Sequence, residues 1–286
     1  MQGPIPYRDQ TRRSTARSAI TVFVIGGLLT VVLAAKINLL QSIGKSAAAI
    51  AMAADMDMRK MGTYWSFPIL QSSGLVGLLF AYVGALLGLW QAINKTAGRS
   101  ATLTIERVHR HVALFVVVLV LVHMVATALD AMGDSWRTVL IPGTWAKQGW
   151  AAAVTGYNTG IAAAYLLVLV GPSYYLRSRL RPNCWRFVHR LVLGFYLLSI
   201  WHSMILGLDL AHYAWLRPMI WLAQIPLLVL LMARIYQPMT ATPTEAGLPG
   251  LLTRVACVGL FILCAAGSSG LLYLVLTGRS GLIATV

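Results

Sequence analysis

The sequence predicts an all-α fold, a polytopic transmembrane helical bundle of about seven spans. Three observations lead there. Apolar residues make up 58% of the chain and charged ones 11%, with a mean hydropathy of +0.73, a balance that a water-soluble domain does not need. Apolar runs of about 20 residues, long enough to cross about 30 Å of hydrocarbon, recur along the chain. Lys and Arg gather on alternate connections, as they do when charge sets orientation.

The net charge of +15 comes from 23 Lys and Arg against 8 Asp and Glu. In a chain with so little water-exposed mass that excess reads as topological, and no long basic run or finger motif points to a nucleic-acid partner. Cys184, Cys257 and Cys264 contain no C-x-x-C pair, so neither a disulfide framework nor a zinc or iron-sulfur site is expected.

Residues 1–17, with Arg8, Arg12, Arg13 and Arg17, read as a cytoplasmic tail. The apolar run from Ser18 to Ala35 follows. Such a start also describes a signal peptide, but the run is long for one and Leu33-Ala34-Ala35 is a poor cleavage site, so a retained helix is expected. The rest of residues 18–65 forms an outer segment whose middle, AAAIAMAADMDMRKM, is too short and charged to span. Met52, Met56, Met58 and Met61 beside Asp55 and Asp57 suit either a soft metal such as copper(I) or, the favoured reading, the apolar face of an interfacial helix.

Further spans are expected from Ser66 to Trp90, His109 to Leu129, Thr155 to Leu176, Trp185 to just before Asp209, and Pro218 to Tyr236, the last kinked at Pro226. Asp130 and Asp134 open an outer loop whose Trp136, Trp145 and Trp150 suit headgroup depth. A polar linker, QPMTATPTEAGLPG, leads to a seventh span from Leu251 to Leu276. With the amino terminus inside, 15 of the 23 basic residues face the cytoplasm and 8 lie outside. Lys36, Lys45, Arg59 and Lys60 run against that bias. The expected location is an inner (plasma) membrane, in contact with lipid through most of the chain.

The third and fifth spans each hold two histidines. His109 and His123 are 14 residues apart, and His189 and His202 are 13 apart. At about 1.5 Å per residue, each pair is separated by roughly 20 Å along its helix, one imidazole near each face of the bilayer. Imidazoles are costly in lipid without a partner. If the two helices lie side by side and parallel, His109 meets His189 in an inner layer and His123 meets His202 in an outer one. Two bis-histidine haems are the natural occupants of such layers. On an ideal helix the first pair falls within roughly 40° of one face, but the second is about 140° apart. Either the fifth helix is locally distorted, with Gly194 a place for it, or the two haems are rotated relative to one another.

These paired histidines, 14 apart in one span and 13 apart in the second span after it, resemble the ferric reductase-like transmembrane domain shared by ferric reductases and NADPH oxidases. The resemblance covers residues 66–236, followed by the linker and extra span of residues 237–286. It implies two haem b groups, with His109 and His189 on the inner iron and His123 and His202 on the outer. Arg110 and Arg190, next to the inner ligands, are placed either to neutralise haem propionates or simply to anchor the cytoplasmic edge. Phe195 stands where related oxidases hold an aromatic side chain between the haems, although packing alone also explains a Phe there. His111 points to another face and reads as structural. His212 reads as a loop residue, with assistance to an external substrate as the lesser reading.

Two departures narrow the function. Related NADPH oxidases carry a further histidine one turn past the outer ligand of the third helix, where this chain has Thr127. That makes deliberate superoxide production less expected. Family reductases continue into an FAD and NAD(P)H module, whereas here a seventh span follows and no G-x-G-x-x-G run opens a nucleotide domain. A separate donor is therefore expected: a flavoprotein, a ferredoxin-like protein or quinol. The chain reads as a b-type cytochrome, an oxidoreductase or its haem subunit, carrying electrons to an external acceptor such as ferric iron. Two alternatives remain. One is a haem-binding membrane subunit serving a partner oxidoreductase, similar to the one that supplies methionine sulfoxide reductase. The other is a haem-free transporter or assembly protein whose histidines relay protons.

Overall fold

The computed structural model describes residues 7–43, 66–94, 99–129, 135–144, 151–207 and 215–236, together with 255, 258–259, 261–270 and 273. Among the described residues there is no strand, in keeping with the all-α expectation. Five helical stretches are long and apolar enough to cross a membrane: Thr15–Lys36, Pro68–Ile93, Thr102–Ala128, Pro182–Leu206 and Leu216–Arg234. They answer to the first, second, third, fifth and sixth expected spans. The fourth expected span falls on a helix at Ala151–Val170 and the seventh, in part, on a shorter apolar helix at Phe261–Gly270, both outside these five. The Met-rich outer segment, Asp130, Asp134, Trp145, Trp150, His212 and the polar linker lie outside the described residues.

The chain divides into two units, Met1–Gly84 with Ala97–Trp136, and Ala85–Thr96 with Arg137–Val286. The first contains α1 (Tyr7–Ile43), most of α2 (Ser66–Ile93) and α3 (Arg99–Ala128). α1 carries Ile20, Val24, Leu28 and Val31 on one stripe at helical spacing, each about 60% exposed (59 to 65%). Lipid is the solvent that such a stripe requires. Its other face packs on α3, where the Phe115 ring sits over Gly26 and meets Phe23 and Phe80 edge-on, with centroids 5.2 and 4.9 Å away. α2 and α3 run antiparallel. Gly77 lies beneath Leu119 and Gly84 beneath Val112, with a Cβ at either site 3.7 or 3.3 Å from its neighbour. Small residues let helix backbones approach in a medium that offers no hydrophobic drive. The buried Ser72 and Ser73 hydroxyls donate to the Ile69 carbonyl of their own helix, at 3.2 and 2.6 Å, so no polar hydrogen is stranded.

α3 begins ten residues before the expected edge, at Arg99 rather than His109, so His109 lies more than two turns inside it. The polar stretch Arg99–Glu106 winds as an extension of the apolar helix, since no Pro or Gly interrupts it.

The second unit includes a short helix, α4 (Trp136–Leu140), then α5 (Ala151–Val170), α6 (Pro182–Arg190) and α7 (Val192–Leu206). α5 stops at Val170, six residues before the expected end. Pro172 stands in the first turn of the 3-10 segment that follows, Gly171–Tyr174, and cannot continue the α-helical ladder. α5 and α7 pack antiparallel, with Leu206 and Ile205 over Gly156 and Leu166 against Gly194. The sixth expected span is broken at Ala223 into α8 (Leu216–Leu222) and α9 (Gln224–Tyr236). Pro226 has no N–H for the Leu222 carbonyl, which explains a break just ahead of it. The α10 helix (Phe261–Gly270) sets Gly267 and Gly270 against Trp201.

Candidate haem-ligand histidines

In the first unit α3 carries His109, Arg110 and His123 on one uninterrupted helix. The half-buried His123 ring reaches α2, where its Nδ1–H donates to the Leu70 carbonyl at 2.9 Å. A carbonyl can only accept, so the proton is on Nδ1 and the lone pair on Nε2. One turn further along α2, Gly74 leaves room for the ring. A Cβ there would stand 3.1 Å from His123 Cε1 and 3.2 Å from Nδ1. Thr127 donates its hydroxyl to the His123 carbonyl at 2.8 Å, which uses it within its own helix. His109 lies beside the Gly84 backbone and Glu106. Arg110 is half-exposed next to it.

His111 is held differently. Its Nδ1 is 3.2 Å from the Ser18 hydroxyl, which donates its own proton to the Thr15 carbonyl at 3.0 Å. Ser18 therefore accepts from His111, and this buried ring ties α3 to α1.

In the second unit His189 and Arg190 end α6, while Phe195 and His202 belong to α7. His189 stacks on Trp185 one turn before it, with centroids 5.2 Å apart and 14° between planes. Phe195 is fully packed, 4% exposed. His202 donates Nδ1–H to the Gly156 carbonyl at 2.9 Å. Gly160, one turn on, opens the surface of α5 so widely that a Cβ there would lie 2.5 Å from His202 Nδ1. A break at Leu191 (φ −63°, ψ −11°) separates the two histidines. Each residue of tighter, 3-10-like winding adds about 20° to an α-helical step, which narrows the 140° offset without closing it. The distortion thus lies three residues before Gly194.

This donor set fits haem. A neutral imidazole whose Nδ1–H is fixed by a carbonyl presents Nε2 as an axial ligand, and the hydrogen bond raises its basicity. Among the described residues no group of three or more His, Cys, Asp or Glu side chains gathers to hold a bare metal ion. Haem needs only an axial pair.

The carbonyls of Leu70 and Gly156, and Gly74, Gly160 and Trp185, are site neighbours that the sequence does not single out. The available signal was the small residue at the matching register of the preceding helix. Residues 73–200 match the model of a family described as ferric reductase like transmembrane component, which takes in His109, His123 and His189 and ends two residues before His202. No curated protein and no solved structure matches the chain significantly. Residues 73–200 are thus similar to a ferric reductase-like transmembrane domain, and they lie in an integral, multi-pass membrane protein.

Proposed function

We propose that this protein carries single electrons across its membrane as a di-haem b-type cytochrome, from a cytoplasmic or membrane donor to an external acceptor such as ferric iron. The observation that carries the reading is the pair of carbonyl-anchored imidazoles, His123 and His202, within and just beyond a ferric reductase-like domain. His109 with His189 would hold the inner haem and His123 with His202 the outer one. Bound haem supplies the iron(III)/iron(II) couple. The chain's own contribution is to fix four ring orientations, to offer the Arg110 and Arg190 guanidiniums to propionates, and to keep water away from the interior with side chains such as Phe195. Two axial imidazoles per iron leave no open position, which suits electron transfer over oxygen binding.

Arg177, Arg179, Arg181 and Arg186 form an exposed basic stretch of the second unit. A separate donor with an acidic docking face, a flavoprotein or a ferredoxin-like protein, would meet complementary charge there. The test is reconstitution into liposomes with a low-potential reductant on the cytoplasmic side and a membrane-impermeant ferric chelate on the other. Ferrous product outside, lost in His123→Ala and His202→Ala, is the expected result. No transfer by protein loaded with haem would overturn the conduit.

A further inference from the structure

We propose that Gly160 with the Gly156 carbonyl, and Gly74 with the Leu70 carbonyl, are positioning elements that set His202 and His123 for ligation before haem arrives. This inference rests on the ligand assignment above and extends it to four residues that act through the histidines. The same construction occurs separately in each unit. An imidazole Nδ1–H donates at 2.9 Å to the carbonyl of residue i on an antiparallel neighbour, and residue i+4 is glycine. In an α-helix the carbonyl of residue i points along the axis at the N–H of residue i+4. A side chain at i+4 flanks that oxygen, and its absence exposes the second lone pair to a ring arriving from the side. Glycine in a helix interior costs about 0.5–1 kcal/mol relative to alanine, so its use at both sites calls for a return.

Two other histidines, His111 and His189, are held differently. The ring of His111 goes to a hydroxyl on α1, and that of His189 stacks on Trp185. The 2.9 Å donation is found at the two residues assigned to the outer haem, and His109 lies beside the Gly84 backbone with Gly88 four residues on. The chemical effect of the donation is to fix the Nδ1–H tautomer, so that Nε2 carries the lone pair, and to fix the angle of the ring plane.

The two glycines are unequally tight, which grades the test. A Cβ at 160 would lie 2.5 Å from Nδ1, so the ring must leave its carbonyl; at 74 the closest approach is 3.1 Å, so the ring shifts by tenths of an ångström. Gly77, whose Cβ would meet Leu119 at an ordinary 3.7 Å, is the control on α2. The experiment combines haem per chain by pyridine haemochrome, a potentiometric titration, and nitrogen NMR of histidine-labelled, haem-free protein. Gly160→Ala is expected to lose half of the haem, or to keep it with one of the two midpoint potentials displaced. Gly74→Ala should displace one potential and Gly77→Ala neither. In haem-free wild type, His123 and His202 should show the Nδ1–H tautomer. Wild-type haem content and potentials in Gly160→Ala would overturn the proposal, as would an Nε2–H tautomer. Should Gly160→Ala not fold, unchanged potentials in Gly74→Ala overturn it instead. A wild type that takes up no haem would defeat the ligand assignment, while the tautomer measurement would still decide whether the carbonyls set the rings.

Discussion

His189 lies flat against Trp185, one helical turn away, with 5.2 Å between ring centroids and 14° between planes. Both belong to α6 and are half-buried. The stack narrows the range of orientations open to the ring. Offset aromatic pairs contribute about 0.5–1.5 kcal/mol beyond their buried area. Trp185→Ala should weaken inner-haem binding by roughly threefold to tenfold, the equivalent of that energy. Haem titration of the stripped protein measures it, and Trp185→Phe should restore most of the loss.

Arg190 follows His189, and the proposal gives it a propionate partner. Removing a nearby positive charge favours the more positively charged oxidised iron. Arg190→Ala should therefore lower one midpoint potential and leave the other in place, as read by potentiometric titration. A residue that serves only as a cytoplasmic anchor would move neither.

The packing of α1 on α3 makes its own prediction. A Cβ at Gly26 would sit 2.1 Å from Phe115, whereas one at Gly27 would meet nothing within 4 Å. Gly26→Ala should cost about 1–3 kcal/mol through overpacking. Gly27→Ala should be neutral or slightly stabilising, because alanine is the better helix former. Thermal unfolding in detergent separates them.

Buried Gln224 donates through Nε2 to the Tyr196 hydroxyl at 3.1 Å and to the Ile220 carbonyl at 2.8 Å. These bonds link α9 to α7 and to the turn of helix before the Pro226 break. Tyr196→Phe and Gln224→Leu should each destabilise by about 1–2 kcal/mol, because each leaves the partner short of a bond in an apolar interior. The double variant should lose less than the sum of the two, a coupling that the same unfolding assay reads.

The fold was legible where one local rule decides. Pro226 breaks its helix as expected, and the apolar runs mark five spans. Ends were misplaced where two rules compete. Arg99–Glu106 is polar, yet it continues α3, and Pro172 stops α5 although Leu176 is still apolar. For the fifth span the sequence left open a distortion, with Gly194 a place for it, or a rotation of one haem against the other; the structure has a break at Leu191, and Gly194 lies against Leu166. At the site, histidine spacing was visible in the chain, but what holds each ring was not. Nothing local distinguishes Gly74 or Gly160 from the other glycines among 25. Their use depends on the register of α2 against α3 and of α5 against α7, which only the packed helices define.

The most direct test of the central claim is a dithionite-reduced minus oxidised spectrum of the detergent-purified protein, with haem per chain from a pyridine haemochrome assay. The account predicts low-spin b-type bands, two haems per chain, and loss of half the haem in His123→Ala and in His202→Ala. A colourless protein after expression with ample haem, or full haem content in both variants, would contradict it.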